Sequence, residues 1–149
     1  MTCATVMNPA PITAPDGSTI SDVLDILIKH RLSIIPVVDA QDKFIGLFGL
    51  HSLLGLMMPK AATLDDGLDD LGFISESVIH VKTRMAEFLP RPIAEFLMED
   101  PILVHPETSL DKALMLLYKH GNNLPVVNHI GLLVGVISPW DIISKIKQG

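Results

Sequence analysis

The stretch Leu124–Ile137, LPVVNHIGLLVGVI, is the key to the predicted fold. Its pattern predicts a β-strand, a polar turn and a second β-strand. The stretch Ile35–Phe48, IPVVDAQDKFIGLF, has the same pattern, and Gly46 and Gly135 stand at equivalent places in the two second strands. Self-similarity of this kind indicates a repeat architecture. The sequence therefore predicts two copies of one structural unit.

Helical segments flank each predicted strand pair. The segments Ile20–His30 and Leu110–His120 both have apolar residues at helical spacing, and both end in Lys-His. A second helix is predicted after each strand pair, at Leu50–Met58 and Pro139–Lys147. Hydroxyl side chains that could cap the first helices stand just before them: Ser18 or Thr19, and Thr108 or Ser109.

Short strands are predicted ahead of the first helices, at Pro11–Ala14 and Ile102–His105, so that each half has the order βαββα. Because a half of this size cannot bury both faces of its sheet, the two halves should pack on each other. We therefore predict an α/β (α+β) fold in which two βαββα repeats are related by pseudo-two-fold symmetry. The predicted boundaries are 1–58 for repeat 1, 59–91 for a helical insert and 92–149 for repeat 2.

The insert is the part of the chain that the repeat does not explain. Its pattern predicts helices at Leu64–Leu71 and Val81–Leu89, with little strand character. A connection of this length is either a functional lid or a docking element. Its acidic cluster lacks the spacing of a calcium loop and is most simply a solvated helix start: Asp65, Asp66, Asp69 and Asp70.

Composition excludes several classes of protein. The chain has 149 residues, 48% of them hydrophobic, a formal net charge of −6 and one cysteine, Cys3. Nucleic-acid binding needs clustered Lys and Arg, which the sequence lacks. Polar residues and prolines interrupt the uncharged stretches, so no membrane span is predicted, and the N-terminus has no signal-peptide pattern. A single cysteine excludes an internal disulfide and favours a cytoplasmic location, while the surplus of apolar residues suggests a buried oligomer interface.

Two segments of the second half resemble a known family. The segments Leu124–Val127, LPVV, and Gly135–Asp141, GVISPWD, are similar to marks of the cystathionine-β-synthase-type (CBS) domain, which occurs in pairs called Bateman modules. The second segment fits the family's ribose signature of glycine, two apolar residues, Ser or Thr, two variable residues and Asp. The resemblance covers nearly the whole chain except Pro59 to Arg91.

The resemblance implies a non-catalytic regulatory module that requires no cofactor. Such modules bind AMP, ADP, ATP, S-adenosylmethionine or related ligands in clefts between the two sheets. They often pair into a disc-shaped homodimer, and they are fused to or associated with an effector protein.

The chemistry of Ser138 and Asp141 supports a ligand site independently of the resemblance to the CBS family. Pro139 suits the first position of a helix, so Ser138 is the predicted N-cap and Asp141 follows three residues on. A carboxylate accepts hydrogen bonds from the two vicinal hydroxyls of a ribose, and phosphates could use the free N–H groups at the helix start. The alternative is a capping box, which only stabilises the helix.

The resemblance places an adenine pocket in repeat 2, although plain core packing explains its residues equally well. The candidate lining residues are Ile102, Leu103, Val104, Asn123, Leu124 and Pro125. The loop before Leu124 is one residue shorter than its counterpart Arg31–Ile34, which departs from the family's spacing. His120 is a further candidate, as a contact to a ligand phosphate. In repeat 1, Gly49 and Ser52 replace the hydroxyl and the carboxylate, so one nucleotide site per chain is predicted.

The remaining reactive side chains form no recognisable catalytic or metal site. The six histidines lack metal-ligand spacing, and His30 and His120 are best explained by favourable positions at helix C-termini. Cys3, near an N-terminus expected to be mobile, is a poor nucleophile candidate. Two hypotheses remain, a small-molecule sensor and a ligand-free dimerisation or interaction scaffold, and an enzyme is a distant third.

Overall fold

The computed structural model describes residues 1–58 and 78–148 of the chain, so the predicted helix Leu64–Leu71 and the acidic cluster lie outside the described residues. The elements, in chain order, are α1 (Cys3–Val6), β1 (Ala14–Pro15), α2 (Ile20–His30), β2 (Ile34–Val38), β3 (Phe44–Gly49), α3 (Leu50–Met57), α4 (Val78–Phe88), a 3₁₀ helix (Ile93–Phe96), α5 (Leu110–His120), β4 (Leu124–Val127), β5 (Leu133–Ile137) and α6 (Pro139–Gln148). The predicted α/β fold of two repeats is confirmed.

Helices α2 and α5 begin and end at the predicted residues, because their caps lie in the adjoining sequence. Thr19 caps α2 in a reciprocal capping box with Asp22, and Ser109 accepts a hydrogen bond from the backbone N–H of Lys112 at the start of α5. Arg31 and Gly121 end the two helices in the left-handed conformation, with φ values of 51° and 73°.

The two halves contain sheets of different width. In repeat 1 the strand order is β1-β2-β3, whereas repeat 2 has β4 paired with β5 alone. The predicted first strands were too long: β1 is only Ala14–Pro15, and in the second half only Val104 pairs, with Val126. Residues 11–13, 102–103 and 105, which we predicted to be strand, are irregular.

The segments that lead into each half are exchanged between the halves. Helix α1 packs in the core of repeat 2, where Cys3 is fully buried, and the N-terminus is therefore not the mobile segment that we expected. Asn8 continues this contact by pairing with Val136 of β5. In the reverse direction, Ile93 is buried in the core of repeat 1, and the Met98 N–H donates to the Leu47 carbonyl at 2.8 Å.

The ends of the two β-hairpins also join the halves. The Phe44 N–H donates to the Gly131 carbonyl, and the Leu133 N–H donates to the Asp42 carbonyl, each at 2.9 Å. The two hydrogen bonds join equivalent positions of the two repeats, as expected for repeats related by pseudo-two-fold symmetry. Because the hairpins meet end to end and the lead-in segments cross over, a cleft remains between the two sheets.

Helix α4, the described part of the insert, packs against repeat 1 and begins three residues before the predicted Val81. Its Arg84 donates from Nε and Nη2 to the Met57 carbonyl at 3.0 and 2.8 Å, which satisfies a free carbonyl at the end of α3. Met85 and Phe88 pack on the core of repeat 1. In the described part of the chain, no helix combines the length and apolar character needed to cross a bilayer.

Candidate functional site

Ser138 and Asp141 meet at the start of α6 and form the predicted capping box. The Ser138 N–H and hydroxyl both donate to Asp141 Oδ2, at 2.7 and 3.0 Å, and the Asp141 N–H donates to Ser138 Oγ at 3.3 Å. Both residues are half-buried. All the hydrogen bonds that the Asp141 carboxylate accepts from described residues are on Oδ2, so Oδ1 remains available to a ligand.

This helix start opens into a cavity of about 210 Å³ between the two repeats, called cavity A below. Repeat 2 and the N-terminal segment contribute Asn8, Asn123, Pro125, Val136, Ser138 and Asp141, and repeat 1 contributes Pro11, Ile12, Leu32, Ile34, Pro36 and Leu47. The strand register explains the first set. Leu124 pairs with Ile137, so Asn123 lies opposite Ser138, and Val136 and Ser138 share one face of β5.

A second cavity, called cavity B below, lies at the place related to cavity A by the pseudo-symmetry. Its volume is about 290 Å³, and its lining is Leu47, Met98, Asp100, Pro101, Ile102, His120, Asn122, Asn123 and Leu124. The Pro101-Ile102 pair corresponds to Pro11-Ile12 of cavity A. Gly49, the counterpart of Ser138, has no side chain to cap α3, and neither it nor Ser52 lines cavity B. Cavity B therefore lacks the hydroxyl and carboxylate pair.

The structure brings together only four of the ten residues predicted for the ligand site: Ser138, Asp141, Asn123 and Pro125. Three others line cavity B, namely Ile102, Leu124 and His120, and Asn123 lies between the two cavities. Val104 is 2% exposed and belongs to the core of repeat 2. Leu103 lines neither cavity, and Pro139 faces an outer groove between α5 and α6.

The wall of cavity A that faces the start of α6 comes from repeat 1. Ile102, Leu103 and Val104, which we expected to line the adenine pocket, do not line cavity A, whereas Pro11 and Ile12 do. A cleft between two halves takes one wall from each, so the partner of the α6 start must come from repeat 1. The equivalence of Pro11-Ile12 and Pro101-Ile102 under the repeat could have indicated that Pro11 and Ile12 line this cavity. No pattern in the sequence predicts that Asn8 lines cavity A.

The electrostatics of cavity A are simple. Asp141 is the only charged residue among its described lining residues, which include no Lys, Arg or His. Within residues 1–58 and 78–148, no group of three His, Cys, Asp or Glu side chains is arranged to hold a metal ion. Burial raises the pKa of the Cys3 thiol, which keeps it protonated and unreactive at neutral pH.

The fold is a pair of similar domains with a cavity between them, and comparison with known proteins identifies its family. Residues 3–59 and 93–148 match the family model of the CBS domain, so the chain belongs to the CBS domain family and contains two of these domains.

Two curated relatives illustrate the contexts in which such a pair occurs. An inosine-5'-monophosphate dehydrogenase of Aquifex aeolicus is 27% identical over 92% of this chain, but the chain spans only 23% of that enzyme. The CBS domain-containing protein CBSX1, chloroplastic, of Arabidopsis thaliana is 25% identical over 88% of this chain, which spans 57% of it. The similarity to the enzyme is thus confined to a fraction of its length.

Solved structures share the fold over almost the whole chain. The CBS-pair protein CBSX2 from Arabidopsis thaliana has a TM-score of 0.76 at 19% identity, covering 99% of this chain and 94% of that one. CBSX2 in complex with AMP has a TM-score of 0.71 at 21% identity, covering 99% and 96% of the two chains. CbpB in complex with c-di-AMP also has a TM-score of 0.71, at 14% identity and with 99% and 85% covered.

Proposed function

We propose that this chain is a non-catalytic sensor that binds an adenosine-containing ligand, of the AMP, ADP, ATP or S-adenosylmethionine type, in cavity A. The observation that carries the proposal is the position of Asp141. Its Oδ2 is fixed by two hydrogen bonds from Ser138, while Oδ1 remains available within an inter-repeat cavity. A carboxylate held in this way is pre-organised to accept hydrogen bonds from ribose hydroxyls.

The rest of cavity A suits a purine ring. Ile12, Ile34 and Val136 offer apolar surface, and the amide of Asn123 offers one donor and one acceptor group opposite Ser138. Binding sites for small molecules typically combine apolar walls with a few polar groups of this kind. Structures of the same fold that contain AMP or c-di-AMP support the ligand class.

Binding in cavity A would act on the packing of the two repeats. The cavity takes residues from both halves and from Asn8 on the exchanged N-terminal segment, so a ligand contacts all three parts. A ligand shifts a conformational equilibrium only by its difference in affinity for the two states. We propose that an effector protein reads this shift in repeat packing.

Substitution of Asp141 tests the site. Asp141→Ala should weaken adenosine binding at least tenfold in calorimetric titrations, because it removes the ribose acceptor, and it should cost about 1 kcal/mol of stability through the lost cap. Asp141→Asn retains an oxygen for the cap and should still lose affinity. Ser52→Ala, at the equivalent place in repeat 1, is the matched control and should bind normally. Unchanged affinity in both Asp141 variants would rule out cavity A as the ligand site.

A ligand-free interaction scaffold is the second candidate. It is favoured by the closed capping box, in which Ser138 and Asp141 satisfy each other without a ligand. Adenosine, AMP, ATP and S-adenosylmethionine should each be tested for a shift in melting temperature. A shift with any of them supports the sensor, and its absence with all four supports the scaffold.

We also propose that the chain forms a homodimer through the exposed face of α5 and α6. Tyr118 and Trp140 are 91% and 76% exposed there, and Ile143 and Ile146 lie beside them. An apolar patch on a soluble domain usually marks an interaction surface. Because Cys3 is the only cysteine and is reduced and buried, we place the protein in the cytoplasm.

A further inference from the structure

We infer that cavity A selects among adenosine ligands by charge, and that it favours an uncharged nucleoside or a cationic adenosine derivative over phosphorylated nucleotides. The inference rests on the proposed function and narrows it to a class of ligand. Three observations support it: the charge of the described lining residues, the hydrogen bonds already made at the start of α6, and the volume of cavity A.

The charge of the lining is negative. Asp141 contributes the only formal charge among the described residues that line cavity A. Arg31 precedes the lining residue Leu32 in the sequence but does not itself line cavity A; it lines an adjoining groove that shares Leu32 with the cavity. The whole chain carries a net charge of −6, which adds to the unfavourable potential for an anion. A phosphate entering the cavity would meet repulsion, and the described lining residues include no cation to compensate it.

At the start of α6, two backbone N–H groups already have hydrogen-bond partners within the protein. Helix N-termini usually bind phosphate through free backbone N–H groups and the positive end of the helix dipole. Here the Ser138 N–H already donates to the Asp141 carboxylate at 2.7 Å, and the Asp141 N–H donates to Ser138 Oγ at 3.3 Å. The protein's own carboxylate therefore already uses the Ser138 N–H, and the Ser138 hydroxyl already uses the Asp141 N–H.

The volume points the same way. At about 210 Å³, cavity A is smaller than the roughly 300–1,000 Å³ typical of pockets for drug-sized ligands. A nucleoside matches this size, whereas further groups must extend beyond the cavity. Substituents on the ribose 5' position therefore meet the field of Asp141, and the described lining of cavity A offers no cation to offset it.

Calorimetric titration with adenosine, S-adenosylmethionine, AMP and ATP tests the inference on the full chain. We expect adenosine and S-adenosylmethionine to bind most tightly, AMP to bind roughly fivefold more weakly than adenosine, and ATP more weakly still, because like charges repel. The difference between adenosine and AMP should shrink as salt is raised. If ATP or AMP binds more tightly than adenosine, the selection by charge is wrong, but the proposed function stands. Failure of all four to bind would overturn the proposed function with it.

A charge-introducing variant at the cavity wall provides an independent arm. Ile12 lines cavity A and is 37% exposed, so Ile12→Lys can keep its aliphatic stem on the wall and its ammonium group at the opening. We expect this variant to raise the affinity for AMP relative to adenosine at least fivefold, whereas the uncharged Ile12→Gln control leaves the ratio unchanged. If Ile12→Lys binds both ligands at the wild-type ratio, charge does not govern selection and the inference fails.

Discussion

At the scale of single residues, the paired glycines of the two second strands have a structural cause. A Cβ atom on Gly135 would lie 2.7 Å from the Met7 sulfur and 2.9 Å from the Asn8 carbonyl oxygen. At Gly46 the nearest atom is a Leu97 side-chain carbon at 3.0 Å. In both halves the exchanged lead-in segment therefore passes over the strand so closely that a side chain would obstruct it.

Substitution of these glycines should have unequal effects. Gly135→Ala should lower the free energy of unfolding by about 1–3 kcal/mol, because the clash includes a backbone oxygen that cannot rotate away. Gly46→Ala should cost less, because the flexible Leu97 side chain can move. Gly55→Ala in α3 is the control: nothing lies within 4 Å of its new Cβ, so stability should rise by up to about 1 kcal/mol. Urea denaturation measures all three, and a fully stable Gly135→Ala would contradict the close approach.

At the scale of elements, the short helix α1 matters more than its length suggests. Its four residues are too few to form a stable helix alone, yet Cys3 and Val6 are buried in the core of repeat 2. Backbone bonds hold the segment from both sides: the Cys3 N–H donates to the Thr108 carbonyl, and the Leu110 N–H donates to the Met1 carbonyl. Tertiary packing, and not helix propensity, creates this element.

Truncation of the Val6 side chain of α1 should therefore destabilise repeat 2, in whose core it is buried. Val6→Ala should lower the free energy of unfolding by about 2 kcal/mol, because it leaves a cavity in the core of repeat 2. Ile130→Ala, which truncates a side chain that is 63% exposed, is the control and should change stability by less than about 0.5 kcal/mol. Fluorescence of Trp140, the single tryptophan, reports on repeat 2. Equal stability of the two variants would show that α1 is not anchored there.

At the scale of the whole molecule, the same helix positions are exposed and apolar in both repeats. Tyr118 and Ile143 in repeat 2 correspond to Ile28 and Leu54 in repeat 1, and all four are more than half exposed. A chain with two similar apolar faces can pair with a second copy through either of them, and a two-fold interface buries the same patch on both subunits. This duplication favours the homodimer proposed above.

The dimer is tested by placing a charge on the α5/α6 face. Ile143→Asp should convert the protein to a monomer in light-scattering measurements, because an unpaired carboxylate in an apolar interface is costly. Ile130→Asp introduces the same charge at a hairpin turn and should leave the dimer intact. If the unmodified protein is monomeric at every accessible concentration, the proposed interface is wrong.

The features that could be predicted correctly from the sequence depend on residues near one another in the chain. Periodicity and caps predicted α2 and α5 to the residue, β-branched runs predicted the paired strands, and Ser138 and Asp141 predicted the capping geometry at α6. These features follow from local backbone preferences and hydrogen bonds over a few residues.

The exchange of the lead-in segments between the two halves, and the set of residues that face Asp141, arise from the packing of the whole chain. Asn8 reaches β5, and Pro11 and Ile12 reach the cavity at Asp141, because the chain crosses between repeats, which no local pattern encodes. The separation of the predicted residues between cavities A and B has the same origin. Contacts between residues more than a hundred positions apart depend on the packing of the whole chain, and a repeat aligned on itself predicts only which positions are equivalent.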